Sequence, residues 1–507
     1  RKRAEDAQVI ITNHAFLLQD AIVAHVDEEG EGLLGKVDFA IIDEAHDLPG
    51  AAVNALEFEI TASKLAMLAA MSLRLEKTLS NYLNRTGLQA ELNSAGERFR
   101  SLLDGCQSQL SSLGRQVRDS KLVAASPGEI LDHPALKALI VKNELMAIES
   151  LAISVRDACK AVTKRYEDIL ARLRDEKPES HRMAFESAQM TLSFIREYGV
   201  YSGNLLEPQG SSISHVGQFQ GMYREGQGAS YEPRLRSDVV DVAEPLKEIL
   251  WNRVPTASLS ATLAVDGAFD HYKRTTGVYP MFEEILPSPY DFRIQAALYL
   301  PKAGCIPDPA LARQNNDEPG YHYAIAQELR TIIEACEGRT LVLFHSRKEM
   351  EAVRAMLDMG PDYPILVQPR SGAGDLGERF RKDPRTSLFA LRSFWTGFDA
   401  PGETLICTVL VRIPFEVPTD PAQLGRLAYL AKQELDPFQV HTLPNAKMMM
   451  RQGAGRLIRS TRDWGVIAVL DPRVRTKRYG ETILDNLPTD MRRFEDFWEA
   501  LAHVKAE

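Results

Sequence analysis

Two adjacent carboxylates and a histidine, Asp43-Glu44-Ala45-His46, follow the branched apolar run Phe39-Ala40-Ile41-Ile42. Such a run reads as a buried strand, and its carboxyl end is where open α/β sheets bind ligands. A carboxylate pair placed there suits a nucleotide-bound Mg²⁺ and the activation of an attacking water. The plainer alternative is a solvated helix start, where Asp-Glu pairs are common. A second cluster is Gln452-Gly453-Ala454-Gly455-Arg456-Leu457-Ile458-Arg459, with Asp463 behind it. On a helix, Arg456 and Arg459 share one face, the arrangement that meets charge developing on a phosphoryl group. Gln452 falls on the preceding turn, within reach of the same phosphate. An ordinary basic surface helix has no need of the flanking glycines.

Three weaker signals lie at other predicted strand ends. Ser393-Phe394-Trp395-Thr396-Gly397-Phe398-Asp399-Ala400-Pro401-Gly402 offers an aromatic ring for stacking, a flexible glycine and a carboxylate, or else a packed loop around a core Trp. Ser260-Ala261-Thr262 and Phe344-His345-Ser346 are short hydroxyl-bearing turns, each structural when taken singly.

The elements that position these residues are legible from periodicity. Strands are expected at Val9-Ile10-Ile11, 39–42, 257–259, 341–344, 387–390, 405–410 and 466–470. Helical stretches intervene, including Tyr323 to Glu337, stopped by Gly338, and Arg347 to Met359, so βαβ units and a parallel sheet follow. Between 60 and 201 the pattern changes. Phe99, Leu103, Cys106, Leu110, Leu113 and Val117 alternate steps of four and three. So do Leu145, Ile148, Ala152, Val155, Cys159, Val162, Tyr166, Ile169 and Leu173, a seam of about 40 Å. Both are faces of long paired helices, with Cys106 and Cys159 as core residues. Ser126-Pro127-Gly128-Glu129 reads as a helix start, and 202–235, rich in Gly, Ser and Gln, as loops and short strands.

The chain has 507 residues, a net charge of −10, 44% hydrophobic and 26% charged residues. That balance belongs to a soluble protein of at least two domains, since one core rarely exceeds roughly 250–300 residues. No run approaches the ~20 apolar residues of a membrane span, and the charged opening Arg1-Lys2-Arg3-Ala4-Glu5-Asp6 is no signal peptide. An opening on Arg implies sequence upstream. Five scattered cysteines fit neither a disulfide framework nor a metal site, which places the protein in the cytoplasm.

Taken together and in this order, the motifs resemble the XPD/DinG type of superfamily 2 helicases, the bacterial DinG group more closely. The match rests on Thr12-Asn13-His14-Ala15-Phe16-Leu17-Leu18, the box at 43–46, Leu259-Ser260-Ala261-Thr262-Leu263, Ser288-Pro289-Tyr290-Asp291-Phe292, Leu343-Phe344-His345-Ser346, 394–402 with Ile413-Pro414-Phe415 and Pro418, and 452–459. Tyr479-Gly480 and Leu487-Pro488 extend it. The resemblance implies an α/β fold with two RecA-like motor domains, the first interrupted by a helical arch. The division would be 1–59 and 202–285 for the first motor domain, 60–201 for the arch and 286–507 for the second. It implies an ATP-dependent DNA helicase, monomeric, moving 5′→3′ on single-stranded DNA and opening duplex junctions in DNA repair or recombination. Asp43 would hold Mg²⁺ and Glu44 would position the hydrolytic water. His46, Ser260 and Thr262 would couple nucleotide state to DNA grip, and Gln452, Arg456 and Arg459 would reach the γ-phosphate. Gly397 and Asp399 would join the ATP site to the DNA groove. Asn13, His14, His345, Ser346 and Trp395 are the strand-contact or coupling candidates.

One departure matters. The Gly-x-x-x-x-Gly-Lys match, Gly30-Glu31-Gly32-Leu33-Leu34-Gly35-Lys36, is followed by Val37 where Ser or Thr should bind Mg²⁺. It precedes a strand, whereas a working loop follows one, and its acidic neighbours repel phosphate. It is a decoy. The true loop, and the cysteines of an iron–sulfur cluster where a relative has one, are expected upstream of residue 1, so these residues alone should bind ATP poorly. The alternatives are an accessory helicase of a CRISPR ribonucleoprotein, a nucleic-acid-binding scaffold that has lost hydrolysis, and an ATPase acting on other partners.

Overall fold

The computed structural model describes residues 7–26, 32–83, 88–119, 128–130, 142–176, 182–205, 212–220, 231–369, 375–391, 394–395, 398, 400, 402–416, 421–488 and 490–505. Asn13 opens the first helix: its Oδ1 accepts the amide of Phe16 at 2.8 Å, and α1 (His14–Val26) follows. The apolar run 9–11 is therefore not a strand. No ladder bond among the described residues reaches it, the Asn13 cap turns the chain into a helix just beyond it, and Ile11 is 95% exposed. β1 (Ala40–Ile42) ends at the two carboxylates, and α2 (Leu48–Leu56) leaves from them with Pro49 in its first turn. β1 buries Ile42 against Leu18, Leu48 and Leu246, whereas Ile41 on the other face is 67% exposed.

The next segment begins at β2 (Phe58–Ile60), and residues 212–220 and 231–239, which the division above gave to the first motor domain, lie in one sheet with it. It continues through α3 (Ala62–Leu83), α4 (Leu88–Asp119), β3 (Gly128–Ile130), α5 (Lys142–Glu176), α6 (Arg182–Asn204), β4 (Ser212–Gln220) and β5 (Tyr231–Val239). Both predicted seams are buried: Phe99, Leu103, Cys106, Leu110 and Leu113 on α4 meet Ile148, Ala152, Val155, Cys159, Val162, Tyr166 and Ile169 on α5. The side chains of Val117, Leu145 and Leu173 lie outside the described residues. Burial pushes the Cys159 thiol up to about 12, as expected of a packed cysteine and not of a ligand. A polar knot at the seam is fully partnered. Ser72 Oγ donates to Glu76 at 3.0 Å, Tyr166 Oη donates to the same oxygen at 3.1 Å, and Arg100 closes the ion pair. The helix start expected at 126–129 is corrected: Gly128–Ile130 pairs antiparallel with β4, and Ser126 and Pro127 lie outside the described residues. Part of the Gly/Ser/Gln-rich segment forms two nine-residue strands, and the antiparallel sheet runs β2-β5-β4-β3. Ile60 and Leu235 belong to the same core as the helices.

The chain returns with β6 (Thr256–Ser258), parallel to β1 with Ala40 opposite Thr256, and then α7 (Asp270–Thr276). The second α/β unit comprises β7 (Ala296–Tyr299), α8 (Glu318–Ala335), β8 (Thr340–Leu343), α9 (Arg347–Met356), β9 (Ile365–Val367), α10 (Leu376–Lys382), β10 (Ser387–Ala390), β11 (Cys407–Leu410), α11 (Pro421–Lys432), α12 (Leu443–Ala454), β12 (Gly465–Val469), β13 (Arg492–Phe494) and α13 (Phe497–Lys505). Its seven strands are all parallel in the order β13-β7-β12-β11-β8-β10-β9. Alternate residues feed two cores: Leu341, Leu343, Leu388 and Leu410 on one face, Val342, Phe389, Val409 and Ala468 on the other. Burial on both faces is why these strands read as unbroken apolar runs. α8 starts earlier than expected, at Glu318, because Asp317 accepts the amide of Gly320 and Pro319 sets the first turn. It stops as expected: Gly338 has φ +87°, and a Cβ there would lie 2.0 Å from the Arg385 carbonyl oxygen.

Candidate functional site

The carboxyl ends of β1 and β6 bring the 43–47 and 260–262 segments together. Glu44 adopts φ 47°, ψ 44°, a left-handed turn that directs the chain into a short 3-10 segment carrying His46. Ser260 Oγ accepts the amide of Thr262 at 3.1 Å and donates to Glu44 Oε2 at 3.3 Å. The same Oγ hydrogen-bonds His46 Nδ1 at 2.8 Å. A chain His46 to Ser260 to Glu44 results. Nε2 of His46 lies 3.4 Å from Asp47 Oδ1 without hydrogen-bond geometry. Asp43 Oδ1 accepts the amide of Glu44 at 2.9 Å, and His14 Nε2 donates to the Asp43 carbonyl at 2.8 Å. Glu44 is 57% exposed at its side chain, open to a reacting water.

The second unit delivers its residues from the end of α12. The expectation that 452–459 is helical throughout is corrected: α12 ends at Ala454, the Gly455 amide donates to the Arg451 carbonyl at 2.9 Å, and the Arg456 amide donates to the Gly453 carbonyl at 3.2 Å in a tight turn. Buried Asp463 then holds the following loop. Its Oδ2 accepts the amides of Arg459 at 2.8 Å and Ser460 at 2.7 Å, and its Oδ1 accepts that of Gly402 at 3.1 Å. Arg456 Nη1 and Arg459 Nη2 nonetheless converge, both donating to the Phe398 carbonyl, at 3.0 and 3.2 Å. Gln452 is buried and reaches across to the first unit, its Nε2 donating to Thr262 Oγ1 at 3.3 Å. The two halves of the predicted constellation thus touch directly.

Other candidates fall elsewhere. Trp395 is corrected as a stacking platform: it is 1% exposed, and a Cβ at Gly453 would lie 3.0 Å from its ring, so α12 packs directly on the indole. Asn13 caps α1, and Ser346 caps α9 by accepting the amide of Glu349 at 3.4 Å. His345 precedes that cap, just beyond the carboxyl end of β8. Gly397 and Asp399 lie outside the described residues, as does Pro418. Of the decoy loop, Gly30 and Glu31 are outside them too; the rest is a tight turn whose Leu34 amide donates to Asp20 Oδ1 at 2.6 Å. A carboxylate in that position excludes phosphate. Sequence reasoning missed Tyr290 and Gln295, which brace the arginine loop through the carbonyls of Arg459 at 2.8 Å and of Ser460 and Asp463 at 3.0 and 2.8 Å. Tyr290 sat inside a quoted motif, so a signal was present; Gln295 carried none.

Asp43 and Glu44 are hard oxygen donors at an accessible strand end, and they fit a nucleotide-bound Mg²⁺, which keeps most of its water and takes one or two protein carboxylates. The cysteines do not fit an iron–sulfur cluster: four are buried in two separate cores, Cys305 is exposed, and no group of three metal-ligating side chains occurs among the described residues.

Beside this site the two units enclose a cavity of about 280 Å³ lined by His46, Leu263, His271, Tyr272, His441 and Gln452, among others. His271 Nε2 contacts Asn445 Oδ1 at 2.9 Å, and Arg274 Nη2 donates to its Nδ1 at 3.2 Å. Burial first, then Arg274 and His441, hold the His271 pKa down to about 4. The sign follows: the native ring stays neutral where the unfolded ring, at 6.5, takes a proton. Stability is complete above about pH 6.5 and is lost as pH falls toward 4, by about 3 kcal/mol at most. Urea midpoints measured from pH 7.5 to 4.5 should show this acid loss, and His271→Gln should remove part of it.

The model of the helicase C-terminal domain matches residues 329–490. The ATP-dependent DNA helicase YoaA of Haemophilus influenzae is 28% identical over 493 residues, 97% of this chain and 68% of that protein. The ATP-dependent helicase DinG of Mycobacterium tuberculosis is 34% identical over 257 residues, half of this chain and 38% of its own length. Over nearly its whole length the chain is similar to the YoaA and DinG ATP-dependent DNA helicases. An XPD helicase structure aligns with 91% of this chain and 70% of its own, at 16% identity and a TM-score of 0.46. No described helix is long and apolar enough to cross a membrane.

Proposed function

We propose that the full-length protein is an ATP-dependent DNA helicase in which hydrolysis at Asp43-Glu44 drives movement of the second motor unit against the first. The observation that carries the reading is the direct tie across the units, Gln452 to Thr262, joined on one side to the Glu44–Ser260–His46 chain and on the other to Arg456 and Arg459. A motor needs such a link, because hydrolysis does work only when the reacting phosphate biases a two-state element.

In this reading Asp43 holds Mg²⁺, which supplies neutralisation of charge on the phosphate oxygens when bound. Glu44 orients the attacking water and takes its proton. Ser260 and His46 hold the Glu44 carboxylate in place. Arg456 and Arg459 exchange the Phe398 carbonyl for the γ-phosphate when the units close, and Gln452 reports that exchange to Thr262. DNA contacts are assigned to the motor surfaces around His14 and His345, mostly to phosphates, as a translocating site requires. Movement is 5′→3′ on single strands, in repair or recombination. The test is strand displacement with 5′- and 3′-tailed duplexes. The reading expects displacement of the 5′-tailed substrate, and equal activity on both tails contradicts the polarity.

The insertion is assigned to strand separation and not to hydrolysis. It has its own core, and its ends are adjacent, since Phe58 pairs with Ser237. Joining Glu57 to Val240 by a short linker should leave DNA-stimulated ATP turnover within about threefold while unwinding is lost, because the packed insertion behaves as a separate unit. Equal loss of both activities would overturn this division.

A further inference from the structure

The Gln452–Thr262 contact is not alone in joining the motor units. Five residues earlier on α12, Lys447 places its ammonium between both carboxylate oxygens of Asp266, at 2.8 and 2.7 Å. Lys447 is 4% exposed at its side chain, so its charge sits where an ion is costly without a partner. Asn486 completes the knot: its Oδ1 accepts the Asp266 amide at 3.2 Å and its Nδ2 donates to the Lys447 carbonyl at 3.1 Å. Asp266 is presented by a tight turn. It has φ 53° and Gly267 φ 76°, and Val265 and Ala268 are bridged on either side. Two successive left-handed residues in a hairpin turn are what Asp-Gly supplies.

We infer that Lys447 and Asp266 are positioning residues that fix the rotation of α12 against the first motor unit and so set Gln452, Arg456 and Arg459 opposite Glu44. This rests on the helicase reading of the site. At 3.6 residues per turn, Lys447 and Gln452 lie about 140° apart around the helix. Two anchors so separated prevent α12 from rolling about its axis, which one anchor alone does not. Neither residue touches the reacting atoms.

The experiment compares Asp266→Asn, Lys447→Met, the double variant and Lys447→Arg in the full-length protein. Asn tolerates the left-handed turn of Asp266, and Arg keeps the charge. DNA-stimulated kcat should fall about 10–100-fold in each neutralising variant, the cost of misplacing catalytic groups. The double variant should be no worse than the worse single one, and Lys447→Arg should retain activity within about threefold. Hydrogen exchange supplies the second measurement. Amides of 263–268 and 448–454 should exchange faster in the neutralising variants, with β8 and β11 unchanged. Additive losses, unchanged kcat, unchanged exchange at the two segments, or faster exchange throughout the second unit would each overturn the inference. If the wild type hydrolyses no ATP, the helicase reading fails, and the exchange measurement alone still decides whether the pair ties the units.

Discussion

Replacing Glu44 by Gln should lower DNA-stimulated ATP turnover by about 10²–10⁴-fold, the usual range for removing a positioned proton acceptor. The substitution is nearly isosteric. Gln keeps an oxygen to accept from Ser260 Oγ, now 3.3 Å away, so the Ser260–His46 arrangement survives. What disappears is the capacity to take a proton from water. DNA affinity should therefore stay within about threefold of wild type, as expected of a surface substitution that leaves its neighbours paired. Turnover that survives the substitution would show that Glu44 does not activate the water.

The second large effect is expected at Arg456. A guanidinium placed against the transferring phosphoryl group is worth about 10³–10⁵ in rate. Arg456→Ala should approach that loss in kcat with little change in ADP affinity, because its contribution arises in the transition state. Arg456→Lys should rescue poorly. The planar fork that bonds the Phe398 carbonyl at 3.0 Å is the same fork that would span two phosphate oxygens, and an ammonium has no such geometry. Single-turnover hydrolysis with prebound ATP separates the two cases: a slow chemical step supports the assignment, and a normal step with weakened binding contradicts it. Arg459 is expected to behave in parallel, since both side chains converge on one carbonyl.

Which parts were legible in the sequence has a physical pattern. The central strands β8, β10, β11 and β12 are buried on both faces, so their apolar runs stand out without any partner in view. The heptad seams of α4 and α5 are equally plain, because each step of three or four is a contact. The edge strands β9 and β13 were missed, as was interior β7, whose Ala-Ala-Leu-Tyr carries no β-branched residue. β13 is Arg-Arg-Phe, charged as an exposed edge should be, and β9 is three residues long. The run at 9–11 misled for the opposite reason: its composition is that of a strand, but strand pairing is a property of neighbours, and the Asn13 cap claims the chain first. At the site, Asp43, Glu44, His46, Ser260, Thr262 and Gln452 were visible as types and spacings, and the structure brings them into one hydrogen-bonded set. Trp395 was not separable from a surface aromatic by sequence, since only the approach of Gly453 shows that it is core. Lys447 and Asp266 left no signal at all: an ion pair between residues 181 apart is a fact of tertiary structure.

The central claim is that one hydrogen-bonded constellation couples hydrolysis to a DNA-bound motor. The most direct measurement is ATP turnover by the full-length protein at saturating ATP, with and without single-stranded DNA, at two salt concentrations. The account predicts strong stimulation by DNA that weakens as salt rises, because phosphate contacts release counterions. Turnover indifferent to DNA would contradict it.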